Sequence, residues 1–535
     1  DVCSSDLTMK KNLKKALALL LGTMMTVGLI AGCGGSGSTE SQSAGNTESI
    51  NETGGAEGVV ADTSEHVDLK MYLIGDRSAD FDEVYGEVNK ILEEKLNCSI
   101  SVDFLSWSEH ETKYSLLFSS GEPFDLIFTA SSWAHYEQTA GMGGFYPLSE
   151  EFIKTYAPGV WEVLPEVAWN QAKIKGEAYM VPYLNKDYVS NTLAIRGDLL
   201  EKYGITSVSN WDEYKAFNLA CAADGMYGSQ GIAWWQFFQG EGMHVINGTP
   251  KGGEFFLYHT QDPSDTNINY VLDWDKFTQY CKDVKEMADA GSWSSDILNS
   301  TDERQTGLLN GTTASMVWNL GSCLLYGKQA NAEHPEWKVT MVDPNASVGK
   351  ILNPYINGGM AININSNHKE RAMMVINELY TNPKLQDLTT LGIEGKHWEA
   401  VGDDQYKILD ATGYPTDNNC NWGWTNQTIR RKEYVENRTE LDDTYDALIE
   451  NFDANVKPEH PLDGFSFDTA NVTTQCAAVE AACGTYYGPL MNGLVQDVDQ
   501  SIAEFKAAMD SAGIQDIADE LQLQIDAYLA ENQAQ

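Results

Sequence analysis

Basic residues are scarce in this chain: 35 lysines and arginines stand against 78 aspartates and glutamates over 535 residues, a formal charge of −43. That shortage excludes the basic face that nucleic acid or anionic lipid requires, and solubility is the simplest reason for the surplus acid. Cysteine is sparse and unpatterned, with nine residues and neither a CxxC nor a closely spaced Cys/His set, so a structural zinc is unsupported. The catalytic signatures are missing too. "HETKY" opens like the zinc-protease HExxH, but Tyr114 stands where the second histidine must be. "DTNINYVLDWDK" has EF-hand spacing at Asp265, Asn267 and Asn269, but carries Tyr270 in place of the turn glycine and Lys276 in place of the closing glutamate. The folded body has no GxGxxG or Walker loop, and no GxSxG occurs. No cofactor or metal is expected. Paired carboxylates for glycoside hydrolysis stay open, since their separation in space is not visible in a sequence.

The first long segment present is "MKKNLKKALALLLGTMMTVGLIAGC", in which four lysines precede an apolar core and small residues precede Cys33. This is the layout of a bacterial secretory signal. Leu29, Ala31, Gly32 and Cys33 resemble a lipobox, after which Cys33 would be the acylated first residue. A retained membrane span is the competing reading, but it gives no reason for Gly-Cys at its end. The eight residues before Met9 precede a natural start and are expected to be non-native. Removing residues 1–32 takes away four lysines and two aspartates, leaving 31 basic and 76 acidic residues and a charge of −45. From Gly34 to His66 the chain has no aromatic residue and is dominated by Gly, Ser, Thr, Glu and Asn. It cannot bury enough apolar surface to offset the entropy of ordering, so it reads as a flexible tether reaching roughly 30 Å.

From Val67 the pattern runs strand, helix, strand, helix, strand. "VDLKMYLIG" alternates; Phe81, Val84, Val88, Ile91, Leu92 and Leu96 recur at helical spacing; "SISVDFL", helical "SEHETKYSLLFSS" and "FDLIFTA" follow. That is how a parallel α/β sheet begins. Later come a helix from Asp275 to Ala290 closed by Gly291, strands in "TASMVWN" and "YINGGMAININ", and a helix from Lys369 to Thr381. Pro458 to Phe467 is loop-like. Beyond Val472 helices dominate, with Ile514, Ile517, Leu521, Ile525 and Leu529 on one apolar face. Cys476 and Cys483, seven apart on one of these helices, stand ~10 Å apart along its axis, too far for a disulfide. Most of the thiols are expected to be buried and inert.

Tryptophan is abundant, with 14 residues, several in segments that read as loops. Trp107 follows "VDFL", Trp133 follows "LIFTASS", Trp234 and Trp235 lie in "IAWWQFF", Trp318 ends "ASMVW", and Trp422 and Trp424 form "NWGWTN". Ligands of open α/β sheets collect at the carboxyl ends of strands, where Trp107, Trp133 and Trp318 fall. A flat indole suits the C–H face of a pyranose. Core packing is the competing reading for each of them, and is preferred for Trp161, Trp169, Trp211, Trp274, Trp293 and Trp337.

Taken in order, these segments resemble the family-1 extracellular solute-binding proteins of ABC sugar importers. "SGEPFDLIFTASSW" is similar to the family's first-lobe strand. "LAIRGDLLEKYGITSVSNWDEYKAF" is similar to its "YN-x-DLL-x-K-x-GI" segment, with Arg196 and Asn210 in place of the commoner asparagine and threonine. "LLNGTTASMVWNLG" resembles the second-lobe strand, and "LTTLGIEGKHWEAV" the "GIEG-x-H-Y" box. The tail resembles an uncharacterised C-terminal domain of some members.

The resemblance implies an α/β fold of the periplasmic-binding-protein-like type II: two α/β lobes with a hinge and a helix-rich C-terminal region. Residues 67–185 and 355–415 would form the first lobe, and 186–354 the second. Residues 416–535 would supply a third crossing and helices packing mainly on the second lobe. The first crossing is expected near Tyr183 to Val189, the second near Pro354 to Asn357. The implied function is capture of an oligosaccharide in the cleft for delivery to an ABC permease, by a monomer without enzymatic activity, held to the outer face of the membrane only by lipid at Cys33. Trp107, Trp133, Trp235, Trp318, Trp422 and Trp424 are expected to line the cleft, with Ser131, Asn319, Tyr355 and Asn357 contacting hydroxyls. The acidity disfavours a polyanionic ligand unless Arg196 or another base faces the cleft. A surface glycoside hydrolase or lyase and a peptide receptor are the rival readings.

Overall fold

Apolar periodicity sets the first helix. In the computed structural model, Phe81, Val84, Val88, Leu92 and Leu96 are buried along the helix Phe81–Leu96, which Asn97 ends in the left-handed conformation at φ 48°. The structure describes residues 62–533 apart from 132, 190, 232–234, 251–253, 301–303 and 415–420, and excludes the side chains of 235, 236, 421, 422 and 531–533. Cys33, the signal and nearly all of the tether lie outside the described residues.

The strand Val67–Ile74 pairs in parallel with Cys98–Leu105 along its whole length, and with Leu126–Thr129 on its other side. Gly359–Ile362 then joins antiparallel to Leu126–Thr129, and Val181–Pro182 closes the five-stranded sheet. The alternation expected along the first strand fails after Lys70: Met71, Tyr72, Leu73 and Ile74 are all buried. A strand inside a largely parallel sheet is covered on both faces and loses its polar side.

The second lobe is centred on Thr192–Ile195, which pairs antiparallel with Ser315–Trp318 and with Thr340–Val342. Its helix Trp211–Ala223 is capped by Asn210, whose side chain accepts the Glu213 amide, and Asp275–Ala290 ends at Gly291 with φ 86°. A small antiparallel sheet of Met243–Val245, Phe256–His259 and Asn269–Tyr270 was not legible in the sequence pattern.

One apolar core gathers residues from Leu69 to Leu184 with residues from Ile356 to Trp424. A second gathers residues from Leu193 to Ala314 with the C-terminal stretch Leu462 to Ile525. A third, smaller core joins Met316, Cys323 and Met341 to Leu441 and Phe452. The chain therefore leaves the first sheet after Pro182, returns to it before Gly359, and leaves the first core again after Trp424. Where these passages meet they pair. The Val189 amide donates to the Ile351 carbonyl at 3.0 Å, Asn353 to Asp187 at 2.9 Å, and Leu184 to Thr425 at 2.7 Å. Near them Lys350, almost fully buried, is held by Asp343 at 2.6 Å and by the Asn345 carbonyl at 2.8 Å.

The helices Thr473–Met491, Val498–Ala512 and Ile514–Gln533 bury Val479, Phe505, Met509, Ile517, Leu521 and Ile525 in the second core. Six cysteines, Cys98, Cys221, Cys281, Cys323, Cys476 and Cys483, are free and buried. Burial pushes the Cys98, Cys323 and Cys476 thiols up to about 11, and those of Cys221 and Cys483 to about 12. They are protonated and inert at neutral pH.

Candidate functional site

Two turns at the carboxyl ends of first-lobe strands bring a pair of indoles together. Cys98–Leu105 runs out into Trp107, and Leu126–Thr129 into the turn that holds Trp133. That turn is tightly bonded: the Trp133 amide donates to the Ser131 carbonyl at 2.9 Å, the Ala134 amide to the Ala130 carbonyl at 3.2 Å, and Thr129 Oγ1 to the Ala134 carbonyl at 2.9 Å. His135 then turns left-handed at φ 59° to start the helix Tyr136–Gly141. The rings of Trp107 and Trp133 lie 6.1 Å apart at 31°. Trp133 rests on Phe128, 5.4 Å away, while Trp107 is 41% exposed. The result is a shelf with its back fixed to the core and its front in solvent.

Polar groups rim the shelf. His110, in the first turn of the helix His110–Ser120, stands edge-on to both indoles at 5.9 and 6.2 Å, with Nδ1 2.9 Å from the Trp107 carbonyl. The Glu111 carboxylate lies 3.6 Å from His110 Nε2 and 3.5 Å from His135 Nε2. The histidine of the failed zinc motif thus positions tryptophan; among the described residues no cluster suits a metal ion. Ser131 is buried and its hydroxyl donates to the Glu137 carboxylate, while its amide donates to the Ile356 carbonyl at 2.8 Å. That bond ties the shelf to the turn Tyr355–Asn357, where Tyr355 is half-buried against the first core and Asn357 Nδ2 reaches Tyr183 Oη at 3.4 Å.

The other expected residues separate. Trp318 ends its second-lobe strand half-exposed, with the Arg304 guanidinium 4.9 Å over its ring and Tyr326 stacked 6.2 Å away. Asn319 is exposed, but its amide oxygen caps the helix Leu320–Glu333 by accepting the Ser322 amide at 2.8 Å. Trp424 is a correction: it is 1% exposed, in the first-lobe core, with Nε1 donating to Thr389 Oγ1 at 3.0 Å. The turn Asn421–Trp424 sits so close to the sheet that a Cβ on Gly423 would meet Phe128 at 2.7 Å, which drives the following indole inward. The side chains of Trp235 and Trp422 lie outside the described residues. Arg196 is committed elsewhere, forked onto Asp198 at 2.7 Å and stacked on Trp337 at 4.3 Å.

His110, Glu111, Glu137 and Arg304 were not anticipated. His110 follows Trp107 by three residues at a helix start, a spacing that could have paired them. Arg304 has no such signal, because the fold alone brings it to Trp318. Chemically the shelf offers broad apolar area with carboxylate acceptors at its edge, a combination suited to a ring with one C–H face and a hydroxyl rim.

The model of the bacterial extracellular solute-binding protein matches residues 78–386, and that of a domain of unknown function matches residues 461–530. A carbohydrate ABC transporter substrate-binding protein of Streptococcus pneumoniae serotype 4 is 26% identical over 484 residues, covering 88% of this chain and 92% of the relative. The crystal structure of an N-glycan transport solute-binding protein from Streptococcus pneumoniae has 23% identity and a TM-score of 0.69, covering 88% of this chain and 100% of that one. The same protein in complex with Man5GlcNAc has 23% identity and a TM-score of 0.62, covering 87% and 99%.

Proposed function

This chain belongs to the bacterial extracellular solute-binding proteins, and from that premise we propose that it captures an oligosaccharide between its lobes and delivers it to an ABC permease, without chemistry of its own. The observation that carries the reading is the shelf of Trp107 and Trp133, fixed behind and open in front, with carboxylates at its rim. Tyr355 and Asn357 flank it on the same lobe, Trp318 is its partner from the second lobe, and Trp235 and Trp422 complete the proposed set. Ligand bridging both lobes favours the closed arrangement, and the closed arrangement is what the permease recognises. Cys33 carries the lipid that holds the protein, a monomer, at the outer membrane face, and the tether lets the body search.

N-glycan fragments are the first ligands to test, because the pneumococcal neighbours are N-glycan transport proteins. Man5GlcNAc at 100 times its dissociation constant is expected to stabilise the protein by ~2.7 kcal/mol in thermal unfolding, and to be recovered intact. Release of shorter sugars would establish the hydrolase reading instead. Binding of peptides with no response to a glycan library would overturn the proposal.

A further inference from the structure

The C-terminal region from Glu459 onward is attached to the two lobes by different kinds of contact. Towards the second lobe the attachment is apolar and buried: Val479, Phe505, Ile517 and Leu521 share one core with Phe255 and Tyr280. The segment that precedes the helices is tied to the same lobe. The Asp463 carboxylate accepts from Tyr258 Oη at 2.6 Å and from the His460 amide at 2.7 Å. His460 Nε2 lies 3.1 Å from the Asp265 carbonyl.

Towards the first lobe the contacts are polar. Gln171, the last residue of the helix Glu166–Gln171, donates Nε2 to Glu459 at 2.9 Å. Lys175, left-handed at φ 53° between the short strands Lys173–Ile174 and Glu177–Ala178, pairs with Asp468 at 2.8 Å. Asp468 is itself held by Gln524 of the last helix through bonds of 2.9 and 2.8 Å. Between these two contacts the backbones approach so closely that a Cβ on Gly464 would stand 3.0 Å from Gln171 Cγ.

Parting a dry apolar core exposes its whole area to water, whereas parting an exposed ion pair or an amide–carboxylate bond exchanges it for hydration at little net cost. A hinge motion therefore separates the first-lobe side and leaves the second-lobe side intact. Gln171 carries that event to the hinge. Its Oε1 accepts the Tyr355 amide at 2.7 Å, in the turn whose Ile356 carbonyl accepts the Ser131 amide beneath the tryptophan shelf.

We infer that the C-terminal region is an interlobe latch: built permanently into the second lobe, it fastens reversibly to the first through Gln171–Glu459 and Lys175–Asp468, and so sets how far the cleft opens. The inference rests on the two-lobe hinge but not on which ligand the cleft takes, and its test needs no ligand. In the full chain, hydrogen exchange of the segment 352–358 and the radius of gyration from small-angle scattering are measured for Lys175→Glu, Lys175→Arg, Glu459→Ala and Glu459→Gln. Lys175→Glu is expected to speed exchange at 352–358 by up to about fivefold and to enlarge the particle, while Lys175→Arg leaves both unchanged. Glu459→Ala is expected to speed exchange of the Tyr355 amide by about tenfold, and Glu459→Gln, which keeps the acceptor, by less. Faster exchange confined to residues 459–468, with 352–358 and the radius of gyration at wild-type values, would overturn the latch. A wild-type chain that ignores every glycan yet shows the expected exchange pattern would retire the ligand reading and keep the latch.

Discussion

Trp107 and Trp424 both belong to the first lobe, and both sit in turns against its sheet. Trp107 is 41% exposed and faces Trp133 across 6.1 Å, whereas Trp424 is 1% exposed with its indole N–H bonded to Thr389 at 3.0 Å. The carbonyl of Trp424 is also held, by Gln386 Nε2 at 2.7 Å. A buried indole must place its N–H on a partner, and Trp424 has found one 35 residues away. The lesson is that loop context and residue type do not separate an exposed platform from a core plug; the burial of the ring does.

The comparison can be broken first at its buried end. Trp424→Ala is expected to cost ~3 to 5 kcal/mol of stability in denaturant unfolding, through lost packing and the lost indole bond to Thr389, while the folded fraction keeps its affinity for the oligosaccharide ligand. A stable variant that no longer binds would return Trp424 to the ligand site. At the exposed end, Trp107→Ala is expected to weaken the same ligand by about 1 to 3 kcal/mol in calorimetry, and to move stability by no more than ~0.5 kcal/mol. Unchanged affinity would leave the shelf without a role.

A smaller effect sharpens the comparison by separating stability from binding along the pH axis. Burial lowers the His244 pKa from 6.5 to about 4. Between those values the unfolded chain binds a proton that the fold refuses. The contribution is therefore fully present above pH ~6.5 and is lost as the pH falls towards 4. His244 lies in the small sheet of the second lobe, away from the shelf. His244→Gln is expected to flatten this acid limb by about 1.4 kcal/mol per pH unit between pH ~6.5 and 4 in pH-dependent unfolding, with affinity at pH 7 unchanged. An acid limb identical in wild type and variant would show that other groups produce it.

How much was legible follows the range of the interactions. The helix Phe81–Leu96 could be read because its buried residues recur at 3.6, and Asp275–Ala290 because Gly291 supplies the left-handed stop. Trp107 and Trp133 could be placed just beyond their strands because strand ends are marked locally. Trp424 was misassigned because its partner Thr389 is not its neighbour in sequence. Gln171 and Glu459 stand 288 residues apart, so no local pattern marks their contact. His110 was weighed only as a metal ligand, since nothing in "HETKY" tells an imidazole that grips zinc from one that props an indole.

The six buried cysteines have a consequence for where such a protein can work. Each is free, and for those whose pKa is pushed to 11 or 12 the nucleophilic thiolate is almost absent at neutral pH. With no cross-link among the described residues, the fold has nothing there for a reductant to cut and no pairing for an isomerase to correct. Among the described residues the lobes are joined by packing, hydrogen bonds and ion pairs, none of which a change of redox potential breaks.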